Sequence, residues 1–148
     1  MMKNIHYRKI FIIFMLLIGM ITNVYATSDI RVSEGYIKAS IPGSSITAAY
    51  MTISNAGNKA ITLQKISSTI SDRIEIHEHN MSDGMMRMRQ VTEITIDANS
   101  EVVLQPSGLH LMIFSLKQKV TDKDVIPLTL YFSNKTKINI QLPVYRYK

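Results

Sequence analysis

Two histidines and two methionines recur at a spacing that suits one metal ion. Met88 follows His77 after ten intervening residues, His110 follows Met88 after twenty-one, and Met112 lies two positions on. The chain contains no cysteine. Imidazole nitrogen with neutral thioether sulfur, and no thiolate, is a donor set matched to soft Cu(I). Zn(II) accepts histidine but does not count thioethers among its usual ligands, and Mg and Ca want oxygen. Thioethers suit an oxidising compartment because they form no disulfide, although they can be oxidised to sulfoxide. They also hold copper less tightly than thiolates, which favours handing the ion on. Both imidazoles must be unprotonated to bind, so copper affinity is expected to fall below roughly pH 6.

Other soft residues crowd the same region. His79 lies two positions from His77, and Met81, Met85, Met86 and Met88 fall within eight residues. Methionine in a strand is ordinarily core filler, so packing is the expected role of at least one of Met81, Met85 and Met86. The alternative is a soft path for copper or a rim for a partner. His79 reads as a solvated edge histidine before it reads as an auxiliary ligand. Glu75 and Glu78 flank His77 and could orient its imidazole from behind, but exposed strand charges are common and neither is assigned a role. The missing cysteine excludes a thiol oxidoreductase, a cysteine hydrolase and a blue-copper carrier. No Ser-His-Asp arrangement stands out, and His77-Glu78 lacks the second histidine of a zincin helix.

Strands must position these side chains. Apolar and polar residues alternate with period two, as half-buried strands require, in Ile30–Ala39, Ile46–Asn55, Ile61–Ser67, Arg73–His79, Met85–Val91, Glu93–Ile96, Glu101–Leu104, Leu109–Phe114, Ile126–Phe132 and Lys137–Val144. Turn residues separate them, among them Ser82-Asp83-Gly84 and Pro106-Ser107-Gly108. No segment carries sustained helical periodicity. Short strands at this spacing predict an all-β antiparallel sandwich or small Greek-key barrel. Positions i and i+2 of a strand share a face. His110 therefore projects with Met112, His77 with His79, and Met86 with Met88, while Leu109, Leu111 and Ile113 point to the core. A hairpin at Ser82-Asp83-Gly84 would bring Met88 back beside His77.

The first 26 residues read as an address. Lys3, Arg8 and Lys9 precede an apolar run from Ile10 to Ile21, and Val24-Tyr25-Ala26 offers the small residues a signal peptidase reads. The run is shorter than the ~20 residues of a membrane-spanning helix. No cysteine follows it for lipid attachment. The expected organisation is a cleavable signal peptide over 1–26 and one domain over 27–148, exported to the periplasm and without stable membrane insertion after cleavage. The three leader cations supply half of the formal charge of +6. The remaining excess is too small and scattered to indicate nucleic acid.

The spacing His77-x10-Met88-x21-His110-x-Met112 resembles the signature of PCu(A)C-type periplasmic copper chaperones. Asp83-Gly84-Met85-Met86-Arg87-Met88 is similar to that family's Asp-Gly-x-Met-x-Met stretch. Leu104-Gln105-Pro106-Ser107-Gly108-Leu109-His110-Leu111-Met112 is similar to its Pro-Gly-Gly-x-His-x-Met stretch, with Ser107 at the first glycine. Ala48 to Gly57 resembles its early strand and turn. The resemblance implies a cupredoxin-like β-barrel binding Cu(I) through His77, Met88, His110 and Met112. It also implies delivery towards the Cu(A) subunit of cytochrome c oxidase, with a Sco-type chaperone as a further partner. The expected protein is a monomer and not an enzyme. Its rivals are a copper-buffering or resistance protein without a dedicated client, a β-sandwich interaction module that binds no metal, and a hydrolytic zinc enzyme, for which no general base is placed.

Overall fold

The computed structural model describes residues 29–146, and the leader expected over 1–26 lies outside the described residues. The chain folds into ten strands: β1 (Ile30–Lys38), β2 (Thr47–Asn55), β3 (Ile61–Ser68), β4 (Arg73–Ser82), β5 (Met85–Val91), β6 (Ile94–Ile96), β7 (Ser100–Leu104), β8 (Leu109–Phe114), β9 (Val125–Phe132) and β10 (Lys137–Tyr145). Every strand expected from the alternation is present. In β9 the period is plain, since Ile126, Leu128, Leu130 and Phe132 are buried while their neighbours are not.

The strands form one hydrogen-bonded sheet ordered β5-β4-β8-β2-β1-β10-β9-β3-β6, with β7 pairing the end of β2. The sheet folds over into two packed layers, a cupredoxin-like barrel. One layer holds β5, β4, β8, β2, β7 and β1, and the other holds β10, β9, β3 and β6. The chain crosses between layers after β2, β3, β5, β6 and β8, so sequence neighbours are often not sheet neighbours. Ile37, Ile53, Leu111 and Ile113 from the first layer meet Leu63, Ile96, Leu128 and Leu130 from the second in one buried cluster.

One pairing departs from the antiparallel expectation. β1 and β10 run parallel, Ile37 beside Val144 and Lys38 beside Tyr145, and join the layers. Alternation within each strand reports which face is buried; it carries no information about the direction of a partner a hundred residues away.

A bulge in β1 adjusts the site face. Glu34 and Gly35 occupy the place opposite Met51, between the Ser33–Thr52 and Tyr36–Tyr50 pairs. The extra residue shifts the alternation by one. Tyr36 consequently stands beside Tyr50 on the outer face, and Ile37 enters the core.

Candidate metal centre

β4 lies between β5 and β8. Its hairpin with β5 turns through Asp83 and Gly84, at φ of 54° and 73°, the left-handed backbone of a two-residue turn that matches strand twist. Ser82, expected within the turn, closes β4 instead and pairs with Met85. Directly opposed residues share a face of the sheet, so the registers place the side chains. His77 lies opposite His110 and Glu75 opposite Met112. His79 lies opposite Met88, and Met81 opposite Met86. All eight stand on the outer face, while Ile76, Leu111 and Ile113 occupy the buried one.

The four positions singled out by spacing thus gather on three adjacent strands. His77 and His110 are neighbours, Met112 is one same-face step along β8, and Met88 is diagonal to His77 on β5. The rings of His77 and His110 have centroids 6.1 Å apart. Two imidazoles sharing one ion through bonds of about 2.0–2.1 Å would have centres roughly 5–6 Å apart. His110 is 3% exposed and Met112 half-buried, whereas Met88 is 47% exposed. The cluster is therefore anchored in the barrel wall and open on its β5 side.

Hydrogen bonds set the free nitrogens. His110 Nδ1 lies 2.9 Å from the Gly108 carbonyl oxygen. A carbonyl only accepts, so Nδ1 carries the proton and Nε2 keeps its lone pair. His77 Nε2 lies 2.8 Å from Glu75 Oε2. With that proton directed to the carboxylate, Nδ1 of His77 is a lone-pair acceptor, and it is buried without any hydrogen-bond partner. Such an orphaned acceptor is uncommon in a folded interior, and a metal ion would satisfy it. A carboxylate behind a ligating imidazole is the usual means of fixing its tautomer and orientation. Glu75 is held in turn by Arg73, whose Nε is 2.7 Å from Oε1. The Arg73 guanidinium lies over the Phe114 ring at 4.4 Å.

The electrostatics agree with neutral ligands. Burial lowers the pKa of His110, helped by His79 and His77 and opposed by the bond to Gly108. The hydrogen bonds from His77 and Arg73 hold the Glu75 carboxyl below its ordinary value. Burial and the neighbouring Tyr36 push Tyr50 up. The Tyr50 ring lies 6.4 Å from that of His110 and walls the site on the β2 side. Among the described residues no three His, Asp or Glu side chains are grouped to hold a metal by themselves. A metal bound between the two histidines of the spacing motif would draw its further donors from the neighbouring thioethers.

Glu75, named as a possible orienting group but assigned no role from the sequence, stands two residues before His77 on the same strand face and holds its Nε2. The surrounding soft residues differ from expectation. His79 is no solvated edge histidine: its Nδ1 is buried and unpartnered, and its ring lies 5.1 Å from that of His110. None of Met81, Met85 and Met86 packs in the core, and each is more than half exposed. The hairpin extends past the barrel wall, so neither of its faces is covered at that end. Met51 is buried as expected.

Comparison with known proteins agrees with this fold. The LpqE-like family, described as a lipoprotein family, matches residues 30–144. A protein of Leifsonia xyli subsp. xyli named as a lipoprotein, Lxx21020, is 28% identical over 78% of this chain and 69% of its own length. The uncharacterized protein RP573 of Rickettsia prowazekii is 30% identical over 66% of this chain, which spans 55% of that protein. Among solved structures, the copper-bound PCuAC domain from PmoF2 superposes with a TM-score of 0.70 at 18% identity, over 83% of this chain and 97% of that one. The Cu(I) form of DR1885 from Deinococcus radiodurans superposes with a TM-score of 0.64 at 27% identity, over 76% and 75%. The match along residues 30–144 places this chain in the LpqE-like family, and its barrel has the fold of the PCuAC domain.

Proposed function

We propose that this protein is an exported metallochaperone that binds Cu(I) through His77, Met88, His110 and Met112. The observation that carries the reading is the pairing of His77 with His110 on a shared face, each with one lone-pair nitrogen left for a metal, beside two thioethers. The copper-bound and Cu(I)-bound states of the similar domains support it. The ion is cargo. No bond in a substrate is made or broken, and the protein is not an enzyme. His77 and His110 supply rigid nitrogen donors from the barrel wall. Met112 supplies sulfur from the floor, and Met88 closes the site from the exposed hairpin. A docked acceptor carrying thiolates displaces the weaker thioethers first and takes the ion by ligand exchange, without change of oxidation state.

The client we propose is the Cu(A) subunit of cytochrome c oxidase, with a Sco-type chaperone as a second partner. The signal peptide is 1–26 and the mature chain, 27–148, acts as a periplasmic monomer. A buffering protein with the same site and no client is the alternative, and Cu(I) transfer to a purified Cu(A) domain separates the two. The site itself is tested by anaerobic Cu(I) competition titration of wild type, Met88→Ala and Met112→Ala. Each substitution is expected to weaken binding by more than about tenfold, since even partners behind the ligands are worth that much. Unchanged affinity in both variants would remove the thioether site.

A further inference from the structure

Beyond the four ligands, the outer half of the β4–β5 hairpin carries three soft donors that the reading above does not use. His79 and Met81 are one same-face step apart on β4, and Met86 is directly opposite Met81 on β5. Steps of two along a strand are roughly 6–7 Å and directly opposed residues about 4.5–5.5 Å apart. Methionine, with three rotatable bonds, adapts its sulfur position readily, so both thioethers can reach one point beside the His79 ring. Met81 is 65% exposed and Met86 61%. Two opposed, solvent-facing thioethers cost solvation without contributing to the core, and Nδ1 of His79 is buried with no partner.

We infer that His79, Met81 and Met86 form a second, outer Cu(I) site at the hairpin end, one step outside the ligands proposed above. One imidazole and two thioethers make a trigonal set suited to Cu(I) and poorly suited to Zn(II). The donors then run in rungs along one face: Met81 with Met86, His79 with Met88, and His77 with His110. An ion captured at the exposed end can pass inward by exchanging one ligand at a time, with Met88 opposite His79 as the shared step. This inference rests on the copper-binding reading of the inner site, and its test separates the two.

The test is Cu(I) stoichiometry and affinity, measured anaerobically by competition with bicinchoninate. The variants are the double substitution Met81→Leu/Met86→Leu, His79→Gln and Met112→Leu, with circular dichroism confirming the fold. Leucine replaces exposed methionine at nearly constant volume, so the double variant keeps its structure. Wild type is expected to take two ions. Met81→Leu/Met86→Leu and His79→Gln should each take one, with the affinity of that ion unchanged. Met112→Leu should weaken the inner ion and retain the outer one. A wild type that binds one ion, weakened by Met112→Leu and unaffected by Met81→Leu/Met86→Leu, overturns the outer site and leaves the inner one standing. In that outcome the exposed methionines are a docking rim. A wild type that binds none removes both sites.

Discussion

Glu75 shows how one carboxylate prepares a ligand. It accepts from His77 Nε2 at 2.8 Å and from Arg73 Nε at 2.7 Å, and so leaves His77 with a single buried lone pair. If that lone pair meets copper, Glu75 acts through His77 as a positioning residue. Glu75→Ala is then expected to lower Cu(I) affinity by about 10–100-fold, the usual effect of losing the partner behind a ligating histidine. The fold should remain, because Glu75 stands on the outer face of the sheet, opposite Met112 and away from the core cluster. Competition titration beside circular dichroism would check this, and an unaltered affinity would show that His77 needs no such anchor. Gly108 acts similarly through its backbone. Its carbonyl accepts from His110 Nδ1 at 2.9 Å and from the His79 amide at 3.4 Å, tying the turn before β8 to β4.

At the level of elements, β1 and the β4–β5 hairpin do the positioning. The β1 bulge puts Tyr36 against Tyr50 with centroids 5.1 Å apart, and Tyr50 walls His110. Gly35 makes the bulge possible by proximity. A Cβ there would stand 2.4 Å from Leu142 Cδ2, and Leu142, 3% exposed, is hemmed in by the core. Gly35→Ala is therefore expected to destabilise the barrel by about 1–3 kcal/mol, the usual cost of overpacking. Urea unfolding should show a lower midpoint at unchanged slope. A midpoint equal to wild type would mean that Leu142 swings aside freely. At the other end of the layer, Asn55 donates to the carbonyls of Lys59, Ile96 and Asp97 and accepts from the Gly57 amide. That one side chain pins the turn after β2 to the end of β6, far from the metal face.

The whole molecule holds itself together without disulfides, so its pH response is set by side chains alone. Asp124 accepts from the amide and hydroxyl of Thr121 at 2.7 and 2.9 Å, and the amide bond chiefly holds its carboxyl below the ordinary value. Glu75 is shifted in the same direction. A carboxyl lowered by folding contributes stability above its unfolded pKa and loses it as pH falls through the folded one. His110, lowered by burial, works with the same sign from the ordinary histidine range downward, because the unfolded chain takes up the proton first. Stability is expected to decrease steadily from neutral pH into acid. Asp124→Asn should flatten the part of that decline below about pH 4, as read from urea midpoints across the range. Equal slopes in variant and wild type would remove Asp124 from the account.

Much of this was legible in the chain. Alternation marks burial residue by residue, so all ten strands and the shared faces of His77 with His79 and of His110 with Met112 follow from local pattern alone. The Asp83-Gly84 turn is equally local, because only a left-handed backbone closes so short a hairpin, and it brings Met88 beside β4. The tertiary structure decided what depends on distant partners. The parallel seam of β1 and β10, the placing of β8 between β4 and β2, and the pairing of His77 with His110 all join segments that no short-range rule connects. Exposure of Met81, Met85 and Met86 was decided there too. A methionine is core or surface according to what covers its strand, and nothing covers the end of this hairpin.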